Sequence, residues 1–168
     1  MYTTILLAAA LQNWERYSTH ALAAREVAAT LAKGTANHLH VLSVYDYPPL
    51  NLGYIPAELA SRQQEDLVER TDTLMVQKMD TYVAPLRAEG VEITPILRMG
   101  NPRDVIVQVA TAIKADLLIL GSHSKRGLLD IALGGTAQQV SKSAPCPVVL
   151  VSPQRAGGGE KQSVEDTR

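Results

Sequence analysis

Two glycine-rich segments in the C-terminal half of the chain have the residue types of a phosphate-binding site. The first, residues 121–127, follows a short apolar run and carries Lys125 and Arg126 between its glycines. The second, residues 134–136 (Gly-Gly-Thr), opens a helix-like pattern. Glycine lets the backbone approach a ligand closely because it has no Cβ atom, and the unpaired amides and dipole at a helix start favour an anion. A phosphate is therefore the simplest ligand for these two segments.

The position of the first segment favours the same interpretation. The apolar run before it, residues 117–120, lacks alternation, as is typical of a strand covered by helices on both faces. Ligands of such sheets bind outside the carboxyl ends of the strands, where residues 121–127 must lie. Lys125 and Arg126 would then either contact the phosphate or remain ordinary solvated loop charges, and both alternatives stay open.

The same segment also suggests a hydrolase, because Ser122, His123, Ser124 and Asp130 lie close together in the sequence. A nucleophilic serine needs its base across a turn, oriented by a third group. Here the histidine is the immediate neighbour of both serines, and the G-x-S-x-G elbow is missing. A serine hydrolase is therefore disfavoured.

Other well-known sites are missing from the sequence. It contains neither G-x-x-x-x-G-K-[ST], the loop of Walker-type NTPases, nor a G-x-G-x-x-G after the first strand. The histidines do not pair with a carboxylate or thiol at metal-ligand spacing. The sequence therefore predicts no metal site and no identifiable catalytic centre.

Composition limits the partners and the compartment. The 168 residues include 16 basic and 17 acidic side chains, a formal charge of −1 that removes the usual electrostatic case for nucleic acid. Cys146, the single cysteine, excludes an internal disulfide and fits a reducing compartment as an inert core thiol. The N-terminal apolar run, residues 5–11, is far below the roughly 20 residues that span a bilayer. We expect a soluble, cytoplasmic protein without membrane contact.

Strand-like and helix-like patterns alternate along the chain. Asn101 and Pro102 predict a sharp helix start, Pro85 predicts a kink or restart late in a long charged helix, and Pro95 argues against full ladder pairing of the third strand. The predicted strands are residues 5–10, 39–45, 91–97, 117–120 and 148–151, and the predicted helices occupy about 19–33, 57–89, 102–113 and 137–143. This order predicts a three-layer, doubly wound α/β domain with a five-stranded parallel sheet, Rossmann-like in architecture, over residues 1–152. Residues 153–168, with three consecutive glycines and alternating charges, are predicted to be a disordered tail.

A proline-rich loop, residues 46–56, follows the second strand. The aromatic side chains of Tyr45, Tyr47 and Tyr54 lie in or beside it. They would either shield the mouth of a pocket or pack the loop onto the domain, and the second alternative is favoured.

The glycine-rich segments resemble the nucleotide motif of the universal stress protein family: glycine, two residues, glycine, nine residues, glycine, then serine or threonine. Gly121 matches the first glycine and Gly134 the third. The resemblance extends over residues 2–152 and includes residues 42–45, 100–102 and 144–148. The sequence departs from the pattern at three positions: Ser124 replaces the second glycine, Gly135 the serine or threonine, and Ala10 an aspartate after the first strand.

The resemblance implies a fold like that of the adenine nucleotide alpha hydrolases and binding of ATP, ADP or AMP, with or without Mg²⁺. The base would lie near the ends of the first two strands, the ribose beside Gly100 and Gly121, and the phosphates on the two glycine-rich segments. The implied nucleotide-binding residues are Ala8, Ala10, Val44, Gly100, Gly121, Ser122, His123, Ser124, Lys125, Arg126, Gly127, Gly134, Gly135 and Thr136. Thr136 would replace the hydroxyl that is lost at position 135.

The resemblance also implies a homodimer through antiparallel pairing of residues 148–151 and a role in responding to stress or cellular energy state. The nucleotide would act as a signal that an unidentified protein partner reads, with at most slow ATP hydrolysis. An alternative is a dimeric interaction or scaffold protein that binds no nucleotide. Ala10, Ser124 and Gly135 favour this alternative, whereas Gly121, Gly127 and Gly134 oppose it.

Overall fold

A computed structural model of the chain describes residues 2–12, 17–34, 38–49, 56–122, 125–126, 131–132 and 134–153. The strands of the main sheet alternate with four helices, as the sequence predicts. In chain order the elements are β1 (Ile5–Ala8), α1 (Thr19–Lys33), β2 (His38–Tyr45), α2 (Ala57–Ala88), β3 (Glu92–Met99), α3 (Pro102–Ala112), β4 (Leu117–Gly121), β5 (Lys125–Arg126), β6 (Ile131–Ala132), α4 (Gly135–Ser143) and β7 (Val148–Val151).

Five strands form one parallel sheet in the order β3-β2-β1-β4-β7, which confirms the predicted sheet. The chain builds outward from β1 through β2 to β3, then crosses back to the other side of β1 to add β4 and β7. The direction of winding therefore reverses between β1 and β4. In sheets of this kind the reversal leaves a crevice beyond the carboxyl ends of the two strands, where ligands bind.

Helices cover both faces of the sheet and create two separate cores. Helices α1 and α2 pack on one face, where five buried alanines of α1 (Ala21, Ala24, Ala28, Ala29 and Ala32) allow a close approach to the strands. Helices α3 and α4 pack on the other face, mainly through Ile106, Val109 and Val140. The central strands β1 and β4 are buried on both faces, which explains why their sequences are apolar without alternation.

Two prolines lie inside regular elements, Pro95 in a strand and Pro85 in a helix. Pro95 lies in β3, an edge strand, as its lack of an amide donor predicts. The predicted restart at Pro85 is wrong: α2 runs through it without a break. Pro85 stands in the last turn, so only one helical hydrogen bond is lost, and the buried neighbours Val83 and Leu86 hold the turn on the sheet.

Two further differences concern local pairing. Strand β1 ends at Ala8 instead of the predicted Ala10, because only the Ala9 amide continues the ladder, to the Leu42 carbonyl at 2.9 Å, before the chain becomes exposed. Strands β5 and β6, which the sequence did not predict, form a two-residue antiparallel pair between β4 and α4. No helix in the described part of the chain is long and apolar enough to cross a membrane.

Candidate functional site

A cleft of about 270 Å³ opens at the reversal point, beyond the carboxyl ends of β1 and β4. Its floor is formed by the ends of three strands, one wall by the start of α1, and the opposite wall by the starts of α3 and α4. The lining residues are Ala8, Ala9, Ala10, Ser18, His20, Ala21, Leu42, Val44, Pro102, Ile106, Leu120, Gly121, Thr136 and Ala137. Most of these side chains are small and apolar, so the cleft suits a flat apolar group better than a highly charged one.

The wall formed by α1 depends on Gly121. An added Cβ atom at this residue would lie 2.8 Å from the carbonyl oxygen of His20 and 3.0 Å from its carbonyl carbon. The start of α1 therefore rests directly on the end of β4. Ser18 caps this helix, since its hydroxyl oxygen accepts a hydrogen bond from the Ala21 amide at 3.1 Å.

The wall formed by α4 begins at a helix start without a side-chain cap. Its N-cap is Gly134, which has no side chain to accept a backbone amide. The amides of Gly135, Thr136 and Ala137 have no hydrogen-bond acceptor among the described residues. By contrast, Asn101 caps α3 with a hydrogen bond from the Arg103 amide at 3.0 Å. As far as the described residues go, an external anion would satisfy these amides, with the helix dipole in its favour.

A guanidinium group lies against the same helix start. Nη2 of Arg103 lies 2.7 Å from the position that a Cβ atom on Gly135 would occupy. The side chain comes from the first turn of α3 and is exposed. In the part of the chain that the structure describes, no carboxylate lies within ion-pairing distance of it. Arg103 was not among the candidate residues predicted from the sequence.

The structure brings most of the described candidates to this cleft. Ala8, Ala10, Val44, Gly121 and Thr136 line it, and residues 134–135 begin the helix that contains Thr136. His123, Ser124, Gly127 and the alternative catalytic residue Asp130 lie outside the described residues, as do Tyr54 and the predicted tail beyond Pro153. Lys125 and Arg126 form β5, and their side chains also lie outside the described part of the chain.

Two candidates lie beside the cleft without lining it. Gly100 has a φ of +127° and donates its amide to the Tyr45 carbonyl at 3.1 Å, so it shapes the turn from β3 into α3. Ser122 is buried, and its amide donates to the Val151 carbonyl at 2.8 Å. Its hydroxyl has no hydrogen-bond partner in the described residues, which do not include His123. The serine hydrolase interpretation gains no support from this geometry.

Two helix starts contribute to the cleft although they were not predicted to do so from the sequence. Ser18, His20 and Ala21 come from α1, and Pro102 and Ile106 from α3. The capping residues Ser18 and Asn101 were a usable signal, because helices that follow parallel strands begin at the carboxyl edge of the sheet. Which of these starts meet at one cleft depends on the strand order, which local sequence does not show.

The loop that follows β1 is held at the edge of the cleft by α2. The Lys78 ammonium group donates to the carbonyl oxygens of Leu11 and Gln12, both at 3.0 Å. The Gln12 side chain in turn accepts the Asp46 amide at 2.9 Å, which joins the ends of β1 and β2. Tyr17 donates its hydroxyl to the Lys78 carbonyl at 2.8 Å. These bonds position residues 8–12 beside the cleft.

Tyr45 and Tyr47 lie away from the cleft, on the α2 side. Both hydroxyls donate to the same carboxylate oxygen of Asp72, at 2.7 and 3.0 Å. Burial, and then the hydrogen bond to Asp72, raise the pKa of Tyr45 well above its usual value. The aromatic residues at the start of the proline-rich loop therefore pack it onto α2, as the favoured alternative predicts, instead of shielding the cleft.

Neither a metal centre nor a reactive thiol emerges from the described residues. No three His, Cys, Asp or Glu side chains among them are grouped to hold a metal ion. Cys146 is half-buried, and burial, followed by the charge of Asp116, raises the pKa of its thiol. A raised pKa lowers the thiolate fraction and hence the reactivity. The described part of the cleft therefore offers a ligand mainly apolar contacts and backbone amide donors.

A fold of this type with a cleft at its reversal point occurs in many unrelated proteins. The model of the universal stress protein family matches residues 1–152, which is nearly the whole of the described structure. The chain belongs to the universal stress protein family. The family membership that the resemblance of the glycine-rich segments implied is therefore confirmed.

Relatives and solved structures agree with this assignment. A universal stress protein of Thermus aquaticus is 32% identical over 151 residues, which cover 90% of this chain and 99% of the relative. A universal stress protein solved in complex with cAMP superposes with a TM-score of 0.63 at 18% identity, covering 91% of this chain and 98% of the other. A family protein from Arabidopsis thaliana with AMP bound gives a TM-score of 0.61 at 20% identity, covering 91% and 93%. At these identities the two structures support the fold.

Proposed function

We propose that this universal stress protein binds an adenine nucleotide in the cleft between β1 and β4 and uses it as a signal of energy or stress state. The observation that carries the proposal is the open start of α4, whose first three amides have no acceptor among the described residues. This start adjoins a cleft with apolar walls at the reversal point of the sheet. The combination of an apolar hollow with anion-binding amides matches a base joined to a phosphate.

The two ends of the cleft fit the two parts of such a ligand. Ala8, Leu42 and Val44 offer apolar contact at the ends of β1 and β2, where the base would lie. Thr136 and Ala137, in the first turn of α4, lie at the other end with the unpaired amides. The AMP and cAMP bound by the two structural neighbours are ligands of this type. The described lining contains no carboxylate, so a Mg²⁺ ion would depend on the phosphate oxygens.

Weak affinity is expected from the altered positions. Ala10 lines the cleft where the family has an aspartate, and it offers no acceptor to the nucleoside. One or two lost hydrogen bonds cost about 1–3 kcal/mol, which weakens binding roughly five- to a hundred-fold. Hydrolysis would be slow at most, because the described lining contains no carboxylate, and its one imidazole, that of His20, belongs to the α1 wall opposite α4.

Isothermal titration with AMP, ADP, ATP, cAMP and adenosine tests the proposal. Two substitutions at the exposed Ala10 serve as controls for each other. Ala10→Leu should fill the cleft and abolish nucleotide binding. Ala10→Asp should restore the missing acceptor and strengthen nucleotide binding. Ala57→Leu, on the exposed start of α2, should change nothing. Absence of heat and of a thermal shift at millimolar nucleotide, in both the wild type and Ala10→Asp, would contradict the proposal and favour the scaffold alternative.

A homodimer is part of the same proposal. Strand β7 is an edge of the sheet, and its residues Val148, Val149 and Leu150 are only half-buried. An exposed apolar edge strand invites pairing with another chain, and antiparallel pairing with a second copy would cover it. Light scattering coupled to size exclusion should give the mass of a dimer, and a monomer at micromolar concentration would contradict this part. We further propose a cytoplasmic location and a protein partner that reads the bound state.

A further inference from the structure

The altered motif position Gly135 has a counterpart in another helix. The family motif places a serine or threonine here, but a Cβ atom on Gly135 would lie 2.7 Å from Nη2 and 3.5 Å from Cζ of Arg103. The guanidinium group therefore occupies the space that the motif side chain would need. The absence of a side chain at position 135 leaves the space that the guanidinium group occupies between α3 and α4.

The neighbours of Arg103 show where its guanidinium group lies relative to the cleft. Asn101 accepts the Arg103 amide at 3.0 Å and fixes the start of α3. Pro102, the preceding residue, and Thr136, the residue after Gly135, both line the cleft. The guanidinium group thus lies at the border of the cleft, beside the amides of α4.

Among the described residues, nothing offsets the positive charge of the guanidinium group at this helix start. A helix start carries partial positive charge, which disfavours a cation there. In the described part of the chain no carboxylate pairs with Arg103, and the three amides beside it lack acceptors. A phosphate at this point would satisfy the amides and the guanidinium group together, with the planar fork geometry that suits arginine.

We infer that Arg103 is a phosphate-binding and specificity-determining residue, which occupies the space of the motif side chain lost at position 135 and makes the cleft select phosphorylated nucleotides over the free nucleoside. The inference rests on the proposed nucleotide binding and identifies the group that determines its selectivity. Arg103 would add a charge-assisted hydrogen bond to the neutral amides that the described start of α4 offers. The selectivity should therefore depend on salt concentration, since a partly exposed charge pair is screened.

The test compares AMP and adenosine in three variants and the wild type by isothermal titration. Arg103→Ala should weaken AMP binding about tenfold or more and leave adenosine binding unchanged. Arg103→Lys should recover part of the loss. Lys142→Ala removes the same charge from the opposite, C-terminal end of α4 and should affect neither ligand.

A second substitution displaces the cation without removing it. Gly135→Ala would push the end of the arginine side chain aside, and should weaken AMP binding in the wild type but not in the Arg103→Ala background. Without ligand, Arg103→Ala should unfold at the same temperature as the wild type or slightly higher, because a cation leaves the helix start. A purely structural arginine would instead lower the melting temperature and weaken both ligands equally.

The possible outcomes separate the two proposals. Equal AMP affinity in the wild type and Arg103→Ala would overturn the inference about Arg103 while leaving nucleotide binding intact. Equal losses for AMP and adenosine would also overturn it. If the wild type binds neither ligand, both the inference and the proposed function fail.

Discussion

The carbonyl oxygen of His20 lies 2.8 Å from the point where a Cβ atom on Gly121 would stand. Both partners in this contact would be backbone-bound atoms, so neither can move aside as the end of a flexible side chain can. Any other residue at position 121 must push the start of α1 away from β4. The glycine that sequence comparison assigns to a ligand also joins two elements of the fold.

Gly121→Ala should therefore lower the free energy of unfolding by about 1–3 kcal/mol, the usual range for overpacking a close contact. It should also weaken nucleotide binding, because the displaced helix start forms one wall of the cleft. Gly34→Ala is the matched control, since its nearest contacts at 3.6 and 3.7 Å are ordinary. Urea denaturation of both variants measures the difference. A destabilisation shared equally by both would contradict the prediction.

Lys78→Met should loosen the loop after β1. The ammonium group donates to two carbonyl oxygens of this loop at 3.0 Å, and the thioether cannot. We expect a loss of about 1–3 kcal/mol in unfolding free energy, together with weaker AMP binding because residues 8–10 line the cleft. Lys33→Met, which breaks only the exposed ion pair with Glu89, should cost less than about 1 kcal/mol. Unchanged amide exchange at Leu11 and Gln12 in Lys78→Met would argue against a positioning role.

Asp116→Asn should reduce stability in a pH-dependent way. Partial burial raises the pKa of this carboxyl, but hydrogen bonds from Thr3 and Thr4 outweigh that effect and leave it below its ordinary value. The charged Asp116 carboxylate therefore makes its full contribution to stability above the pKa of an unfolded aspartate, about 4. This contribution is lost as the pH falls through the lower pKa that Asp116 has in the folded protein. Urea midpoints should differ between Asp116→Asn and the wild type at pH 7 and converge near pH 3. A constant difference across this range would contradict the assignment.

His40→Leu should flatten the stability profile at mildly acidic pH. Burial, followed by the neighbouring His38 ring stacked at 4.7 Å, lowers the pKa of His40. As the pH falls, His40 takes up a proton in the unfolded chain before it does so in the folded protein. Its contribution to stability is therefore complete above about pH 6.5 and decreases as the pH drops towards the pKa of His40 in the folded protein. The wild type should lose melting temperature between pH 7.5 and 5.5, and His40→Leu should lose less. His38→Gln retains His40 and should keep most of the dependence.

Local sequence predicted the helices and strands but not the contacts between distant ones. Asn101 and Pro102 mark the start of α3, and Pro95 marks an edge strand, because each effect arises within a few residues. Gly121 was correctly placed at the end of a strand, yet its contact with His20 arises only when β4 lies beside β1. Likewise, the sequence shows Gly135 only as a departure from the motif, and its proximity to Arg103 arises only when α3 packs against α4. Contacts between distant segments depend on strand order, which periodicity alone does not encode.

The cleft is lined by parts of the chain that extend from Ala8 to Ala137. Its walls therefore cannot be complete until the last helix has docked, after four βα units have been synthesised and packed. Contacts between residues so far apart in sequence form slowly in folding, because the loops between them must close first. On the ribosome, the cleft would be among the last features of this protein to mature, and a nascent chain that ends before α4 would lack the wall on which we propose that the phosphate binds.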